Sequence, residues 1–365
     1  MEGENISMPH YDRYDSTQTK KSREKKERAK ARSADRIELE ELDSQFVIKK
    51  TTEDTGIIIE TRYNDATVLY KEELINAYLK KEINAICNQT VFPGDIVVIH
   101  REQSNKYCIS NLIERKNVLS RIKKDSTRSG INVGSNHIIA TNIDMAVIVV
   151  SAQTPPLHPK FIDRYLMILQ NNGIPCSICL NKSDLKNAKD EEVLEIYRKL
   201  RIPIVETSVK ENMGIEELKE LLKGKRAIFV GHSGVGKSSL TNALMGFDEI
   251  ETSHVSEKSG KGRHTTTTSK YYVWDEKSSV IDTPGIRSLD VSNFKPNEIK
   301  EYFSEFSDWG CRCKYSNCLH YREPLDACMV KQAAKAGIIT RERYESYIRI
   351  LKDVTNDKNK EEMEL

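Results

Sequence analysis

Hydrophobic residues along this chain follow two successive patterns, and the pattern changes near residue 143. Before that point, short β-like runs recur at 46–48, 56–61, 66–70, 95–100 and 107–113. About five short strands at this spacing predict a small barrel of the OB type. Folds of this type often bind RNA, although fold alone does not establish function.

After residue 143, apolar strands alternate with helical segments. We predict strands at 144–151, 174–180, 202–205 and 226–230, and helices at 161–171, 191–199, 215–222 and 237–245. Alternation of this kind implies a mostly parallel sheet covered on both faces. Two further runs, 270–274 and 279–281, predict a hairpin at one edge of the sheet. Beyond residue 295 the chain is predicted to be helical apart from a cysteine-rich knuckle.

These patterns predict a multidomain protein. We expect a basic polar tail, disordered or helical, at 1–40, and an OB-type barrel with its linker at 41–135. An α/β domain should follow at 136–295, and a helical domain with a metal-binding knuckle at 296–365. The Lys-, Ser-, Gly- and Asn-rich stretch 122–137 is interpreted as the linker.

Composition narrows the class of protein. The 365 residues carry a net charge of +2, but eight Lys/Arg against two Glu fall between Lys20 and Arg32. That run is either a solvated tail or an arm that contacts nucleic acid. The chain has neither an apolar stretch of about 18 residues nor an apolar signal region at its start, so we expect a cytosolic protein without membrane attachment.

The segment 231–238, Gly-His-Ser-Gly-Val-Gly-Lys-Ser, matches the phosphate-binding loop G-x-x-x-x-G-K-[ST] in full. It has the required context, because a predicted strand precedes it and a predicted helix follows. Glycines let backbone N–H groups converge on phosphates, Lys237 would bridge the β- and γ-phosphates, and Ser238 would ligate Mg²⁺. The predicted nucleotide-binding residues here are Gly231, Ser233, Gly234, Val235, Gly236, Lys237, Ser238 and Ser239.

The tetrad Asn181-Lys182-Ser183-Asp184 ends a predicted strand, where open α/β sheets place ligands. The Asp184 carboxylate can accept from guanine N1–H and the 2-amino group together. Adenine offers neither donor on that edge, so ATP should be rejected. We predict that Asn181, Lys182 and Asp184 bind the base, supported by Ser208 and Lys210 after the next strand.

The last motif is Asp282-Thr283-Pro284-Gly285. Asp282 can hold Mg²⁺ through water, and the Gly285 N–H can sense the γ-phosphate. The residue after it, Ile286, cannot orient a nucleophilic water as a glutamine would. Intrinsic hydrolysis should therefore be slow unless another group acts, and His264 in the switch-like segment 260–268 is the nearest candidate.

The carboxy-terminal region contains a cluster of metal-ligand residue types. Cys313, Cys318, His320 and Cys328 supply three thiolates and an imidazole, an ordinary tetrahedral set for one structural zinc ion. Cys311 is a spare thiol that could substitute for Cys313. In a reducing compartment such a cluster indicates metal ligands rather than disulfides.

The three nucleotide motifs occur in a circularly permuted order, with the base tetrad first and the Asp282 motif last. This order, together with the Gly-Arg-His-Thr-Thr-Thr string at 262–267 and the knuckle, resembles the ribosome small subunit-dependent GTPase A family over about residues 45–350. The resemblance implies an OB barrel, a permuted P-loop GTPase domain and a zinc domain. It assigns catalysis to His264 and makes Thr266 the residue that closes on Mg²⁺, with Thr265 as an alternative.

The resemblance also implies a function. It predicts a GTPase that is stimulated by the small ribosomal subunit, acts late in maturation of that subunit and leaves it upon hydrolysis. The expected partners are the subunit, its rRNA and GTP or GDP, and the chain is expected to be a cytoplasmic monomer. The alternative is a GTP-controlled RNA-binding module whose hydrolysis is incidental.

Overall fold

The amino-terminal strands close into a barrel. The computed structural model describes residues 47–48, 51, 53–61, 65–79, 91–123, 135–153, 155–246, 270–275, 277–282, 291 and 294–355. Its first strands are β1 (Val47–Ile48), β2 (Thr55–Thr61), β3 (Asp65–Tyr70), β4 (Glu73–Leu79), β5 (Ile96–Arg101) and β6 (Tyr107–Ile113). Strands β2 to β6 form a closed ring in which β4 and β6 pair in parallel. The predicted OB-type barrel is thus confirmed.

One barrel strand was absent from the predicted runs. β4 supplies the fifth strand of the ring, whereas the predicted run 46–48 contributes only the two-residue β1, which pairs with the far end of β6. β4 does alternate, with Ile75, Ala77 and Leu79 buried. Asn76 and Tyr78 separate these residues, and the exposed Leu74 precedes them, so the strand lacks the apolar run that marks its neighbours.

A hairpin joins the barrel to the next domain. It consists of β7 (Val118–Lys123) and β8 (Ser135–Thr141), which pair antiparallel. Residues 122–123 and 135–137 are therefore strand, and the linker predicted at 122–137 was too long. The strands extend into this polar stretch because their backbone groups satisfy one another, while Leu119 and Ala140 are buried nearer the barrel.

The barrel is fixed to this hairpin by a buried carboxylate. Asp95 accepts hydrogen bonds from Arg115 Nε at 2.7 Å, Thr141 Oγ1 at 2.7 Å and the Phe92 N–H at 2.8 Å. The preceding Gly94 has φ +94°, and a Cβ there would lie 2.2 Å from the Thr141 carbonyl oxygen. The turn at 93–95 therefore packs closely on β8.

The central domain is a six-stranded sheet in the order β11-β10-β9-β12-β14-β13. Its strands are β9 (Met145–Ser151), β10 (Cys176–Asn181), β11 (Ile204–Thr207), β12 (Arg226–Val230), β13 (Lys270–Val273) and β14 (Ser279–Asp282). All neighbours are parallel except the edge pair β13–β14, which is the predicted hairpin. Both faces are covered, because Ile148 and Val149 of β9 enter different apolar clusters.

Among the described residues, four helices connect these strands: α1 (Pro159–Asn171), α2 (Ala188–Lys199), α3 (Ile215–Leu222) and α4 (Lys237–Met245). Residues of α1 and α2 pack on one face of the sheet, and residues of α3 and α4 pack on the other. Strands β10 and β11 extend the sheet on one side of β9, and strands β14 and β13 extend it on the other side of β12. The carboxyl ends of β9 and β12 therefore flank the crevice where open α/β sheets bind ligands.

The carboxy-terminal domain contains α5 (Ser307–Gly310), α6 (Met329–Lys335) and α7 (Arg341–Thr355), with short 3-10 turns between them. Helix α7 packs against α1 through a buried ion cluster. The Arg343 guanidinium contacts Asp163 of α1 and also Glu305, with 3.0 Å between Nη2 and Oε2 of Glu305. In the part of the chain that the structure describes, no helix combines the length and apolar character needed to cross a membrane.

Candidate active site and metal centre

The predicted phosphate loop lies at the carboxyl end of the central strand β12 and leads directly into α4. Gly236 has φ +96°, and a Cβ there would lie 2.2 Å from Asn181 Nδ2. A Cβ at Gly231 would lie 2.3 Å from the carbonyl oxygen of Val149 on the neighbouring strand. Both positions therefore require glycine. Val235 is buried, whereas Ser233, Gly234 and Ser239 are exposed.

The Lys237 ammonium lies inside this loop. Its Nζ donates to the carbonyl oxygens of Gly231 at 2.8 Å and His232 at 2.9 Å, and the residue is 8% exposed. Burial lowers the pKa of Lys237, and the carboxylate of Asp282 acts in the opposite direction. The loop thus encloses a positive charge at the point where backbone N–H groups would meet an anion.

The structure joins the phosphate loop to the last predicted motif. Ser238 Oγ donates to Asp282 Oδ2 at 3.1 Å, so the two residues predicted to serve Mg²⁺ are neighbours although they lie far apart in sequence. Asp282 is the last residue of β14, beside the strand that carries the loop. Gly285, Ile286 and the predicted catalytic residues His264 and Thr266 lie outside the described residues.

The predicted base tetrad contacts the phosphate loop from β10. Asn181 Nδ2 donates to the Val235 carbonyl at 2.9 Å, and its Oδ1 accepts from Thr207 Oγ1 at 3.2 Å. Lys182 adopts φ +58°, and its Nζ donates to the Gly234 carbonyl at 2.9 Å. These two side chains hold the loop from the side. Thr207 was not among the predicted residues, because a threonine within a strand has no motif of its own.

The Asp184 carboxylate is held by the next predicted element. Ser208 Oγ donates to Asp184 Oδ1 at 2.7 Å and accepts from the Glu211 N–H at 3.2 Å. Lys210 is exposed and pairs with Glu211, which raises the pKa of Lys210, and Asp184 adds to this effect. The acceptor predicted to recognise guanine is therefore oriented by a neighbouring hydroxyl and has a cation nearby.

A contact that the sequence did not reveal lies at the entrance of the loop. The His232 ring stacks on Phe161 of α1, with centroids 3.9 Å apart and planes inclined by 26°. Burial lowers the pKa of His232, and the Lys237 ammonium contributes in the same direction. A phenylalanine in an amphipathic helix reads as an ordinary packing residue, so no sequence signal indicated this partner.

The knuckle residues converge as predicted. One ligand atom from each of Cys313, Cys318, His320 and Cys328 lies within 4.8 Å of all the others. His320 Nδ1 is 3.6 Å from Cys313 Sγ and 3.4 Å from Cys328 Sγ, and these two sulfurs are 4.0 Å apart. Around a tetrahedral zinc ion, such distances are about 3.5 Å for nitrogen to sulfur and about 3.8 Å for sulfur to sulfur. The cluster therefore fits a zinc site.

Two details support this assignment. Burial lowers the pKa of His320 to about 4, with the Lys300 ammonium acting in the same direction, so the imidazole is neutral and can donate a lone pair. Cys311 is exposed, and its thiol lies 3.8 Å from the Asp308 carbonyl, outside the cluster. Between the two candidates that the sequence left open, the geometry places Cys313 in the site.

A carboxylate holds the turn that carries His320. Glu323 accepts from the Leu319 N–H at 2.7 Å and the Tyr321 N–H at 2.8 Å, on either side of the imidazole. The hydroxyls of Tyr344 and Tyr347 on α7 donate to the His320 and Leu319 carbonyls at 2.8 and 2.5 Å. The ligand turn is thus fixed from both sides, although His320 adopts φ +54°.

Comparison with known proteins decides the family. The RsgA GTPase family model matches residues 112–292. A small ribosomal subunit biogenesis GTPase RsgA from Thermotoga petrophila is 36% identical over 311 residues, covering 84% of this chain and 98% of that protein. This chain belongs to the RsgA GTPase family. It is therefore a GTPase.

Other relatives agree with this assignment. The RsgA protein of Chlorobaculum tepidum is 39% identical over 244 residues, which cover 67% of this chain and 77% of that protein. The crystal structure of YjeQ from Thermotoga maritima superposes with a TM-score of 0.64 at 33% identity, covering 83% of this chain and 98% of YjeQ. YloQ, described as a circularly permuted GTPase, gives 0.61 at 25% identity, covering 84% and 97%. The fold and the permuted motif order predicted for this RsgA-family chain are confirmed.

Proposed function

We propose that this GTPase acts in late maturation of the small ribosomal subunit, that the subunit stimulates its GTP hydrolysis, and that hydrolysis drives its release. The named relatives are small ribosomal subunit biogenesis GTPases. The observation that carries the nucleotide chemistry is the 3.1 Å contact between Ser238 Oγ and Asp282 Oδ2 beside the buried Lys237. This contact brings the phosphate loop and the Asp282 motif together at the carboxyl ends of the strands, where Asp184 also lies.

In this proposal the loop from Gly231 to Ser239 binds the phosphates through its backbone N–H groups. Lys237 would bridge the β- and γ-phosphates from its position inside the loop. Ser238 and Thr266 would hold Mg²⁺, with Asp282 acting through water. The ion, when bound, neutralises charge on the transferred phosphoryl group. The Gly285 N–H would contact the γ-phosphate.

Guanine recognition rests on Asp184 in this proposal. The Ser208 hydroxyl bond limits rotation of the Asp184 side chain and so orients its carboxylate for the base. Asn181 and Lys182 contribute by holding the Val235 and Gly234 carbonyls, which keeps the base and phosphate subsites in register. Lys210 lies beside the carboxylate and flanks the base.

For catalysis we propose His264, because Ile286 offers no group that could orient water. Docking on the subunit would bring His264 toward the γ-phosphate. Ordering a nucleophile and excluding bulk water accelerates phosphoryl transfer without covalent chemistry by the protein.

The remaining parts of the proposal concern stability and partners. Cys313, Cys318, His320 and Cys328 would hold one structural zinc ion, whose closed tetrahedral shell stabilises the carboxy-terminal domain. The partners would be rRNA of the small subunit and GTP or GDP, and the protein would act as a monomer in the cytosol.

GTP turnover by the purified full chain, measured with and without small ribosomal subunits, tests the proposal. Alone, we expect roughly 10⁻⁴ to 10⁻² per second, the range of unassisted GTPases. Small subunits should raise this rate strongly, and large subunits serve as the control. His264→Ala should keep GTP affinity and subunit binding but lose most of the stimulation.

Each outcome decides a different part of the proposal. A turnover rate that small subunits do not change would favour a GTP-controlled RNA-binding module. If His264→Ala is stimulated as strongly as the wild type, the ribosome or another residue orients the water.

A further inference from the structure

The His232–Phe161 stack lies at the amino-terminal end of the phosphate loop, where the Lys237 ammonium also binds. The Lys237 ammonium is bonded to the carbonyls of Gly231 and His232. Phosphates bound in the loop would draw on this ammonium as well, and its three donors would then be shared between the phosphates and the two carbonyls. Further along the loop, the Val235 and Gly234 carbonyls keep the bonds that Asn181 and Lys182 donate.

The stack is an anchor at this end of the loop that does not depend on the Lys237 ammonium. The ring of His232 covers Phe161 at 3.9 Å, and Phe161 is backed by Tyr165 at 4.6 Å between centroids. A loop rich in positive-φ glycine has high conformational entropy when it is not held, and ordering it costs binding free energy. An aromatic contact that survives nucleotide binding reduces this cost.

The helix that carries Phe161 is in turn fixed to the carboxy-terminal domain. Asp163 is fully buried, contacts Arg343 of α7, and accepts from Tyr197 Oη at 2.8 Å. Two half-buried ion pairs join the same helices, since the Lys160 and Arg164 side chains of α1 lie 3.1 and 3.2 Å from the Asp353 carboxylate of α7. One rigid helix thus contacts both the phosphate loop and the zinc domain.

We propose that Phe161 is a positioning residue for nucleotide binding, which acts by holding His232, and that α1 thereby couples the phosphate loop to the carboxy-terminal domain. This inference rests on the proposed binding of GTP and GDP. Because such coupling is reciprocal, a nucleotide that orders the loop must also stabilise the contact between α1 and α7.

The first test is nucleotide affinity of the full chain, measured by calorimetry with GDP. An aromatic contact contributes about 0.5–1.5 kcal/mol, so Phe161→Leu should weaken GDP binding roughly 2- to 12-fold. Phe161→Tyr keeps the ring and should restore affinity. Phe294→Leu is the matched control, because Phe294 is a partly buried aromatic paired with Tyr302 at 5.6 Å, outside the nucleotide site.

A double-mutant cycle distinguishes the loss of this one contact from a general loss of packing. His232→Ala changes an exposed loop residue and should weaken binding by a similar factor. The double variant with Phe161→Leu should bind no more weakly than either single variant, because both remove one contact. Wild-type affinity in Phe161→Leu, or fully additive losses in the double variant, would overturn the proposed role of Phe161.

The second test measures the coupling by hydrogen exchange of peptides from α4 and α7. GDP should slow exchange in both helices of the wild type. In Phe161→Leu at saturating GDP, the slowing should persist in α4 and disappear from α7. If GDP leaves α7 exchange unchanged in the wild type, no coupling exists. A wild type that does not bind GDP would instead refute the proposed function.

Discussion

The strongest stability prediction concerns the buried ion cluster between α1 and α7. Arg343→Met removes the guanidinium but keeps an apolar stem near Phe303, whose ring lies 4.3 Å from the guanidinium carbon. Asp163, with no exposed side-chain surface, would lose its charged partner and keep the hydroxyls of Tyr197 and Ser346 as neutral donors. Glu305 is 19% exposed and can regain water. An uncompensated buried carboxylate costs about 3–5 kcal/mol, so we expect a loss of that size.

The two tryptophans of the chain allow each domain to be followed separately. Trp309 belongs to α5 of the carboxy-terminal domain, and Trp274 follows the edge strand β13 of the sheet. Urea unfolding monitored in Trp274→Phe and Trp309→Phe backgrounds should show the loss mainly through Trp309. The separation matters because a multidomain chain need not unfold in one step.

Two results would contradict this reasoning. Asp163→Asn in the Arg343→Met background removes the buried charge and should recover most of the stability, and failure to recover it would mean that packing dominates. Burial already raises the pKa of Asp163 against the opposing effect of Arg343. Without the arginine, the folded-state pKa must rise further above the unfolded value. The destabilisation should therefore shrink as pH falls, and a pH-independent loss would refute the electrostatic cause.

Three further predictions concern the sites and the barrel. Asp184→Asn should weaken GTP binding and favour xanthine nucleotides, because O2 of xanthine is an acceptor. Equal affinity of the wild type for ATP and GTP in calorimetry would exclude Asp184 as the residue that selects guanine. Cys318→Ser should release zinc and destabilise the carboxy-terminal domain while nucleotide binding is preserved. Cys311→Ser should retain the metal, and metal analysis of freshly purified protein measures both outcomes. Asp95→Leu should destabilise the barrel by about 1–3 kcal/mol, because the buried Thr141 hydroxyl and the partly buried Arg115 guanidinium lose their acceptor. Thermal unfolding unchanged from the wild type would show that these groups find other partners.

The strands of the central sheet could be predicted because burial on both faces leaves continuous apolar runs, as in 144–151. The first residues of the helices were harder to predict from the sequence. Helix α2 begins at Ala188, three residues before the predicted start, because Asn187 and Asp190 form a capping box of polar residues. Helix α1 begins at Pro159, a residue that fits the first turn but interrupts an apolar pattern.

Within the sites, motif residues were predictable and their supports were not. Ser238 and Asp282 belong to strings whose spacing reflects the chemistry of phosphate and magnesium. Glu323 accepts from two backbone N–H groups, a role that leaves no spacing rule in the sequence. Contacts such as His232 with Phe161 depend on which helix face meets the loop, which only the packed fold determines.

The position of β12 between β9 and β14 has a consequence for synthesis of the chain. Strands β9, β10 and β11 leave the ribosome first, and β9 then has no neighbour on one side until β12 follows. The roughly 80 intervening residues take on the order of 4–16 s to translate. During that interval the side of β9 that will later pair with β12 is an open strand edge, and other chains can pair with it. The base-binding half therefore folds with an unprotected edge, and slow translation before β12 should increase aggregation of the nascent protein.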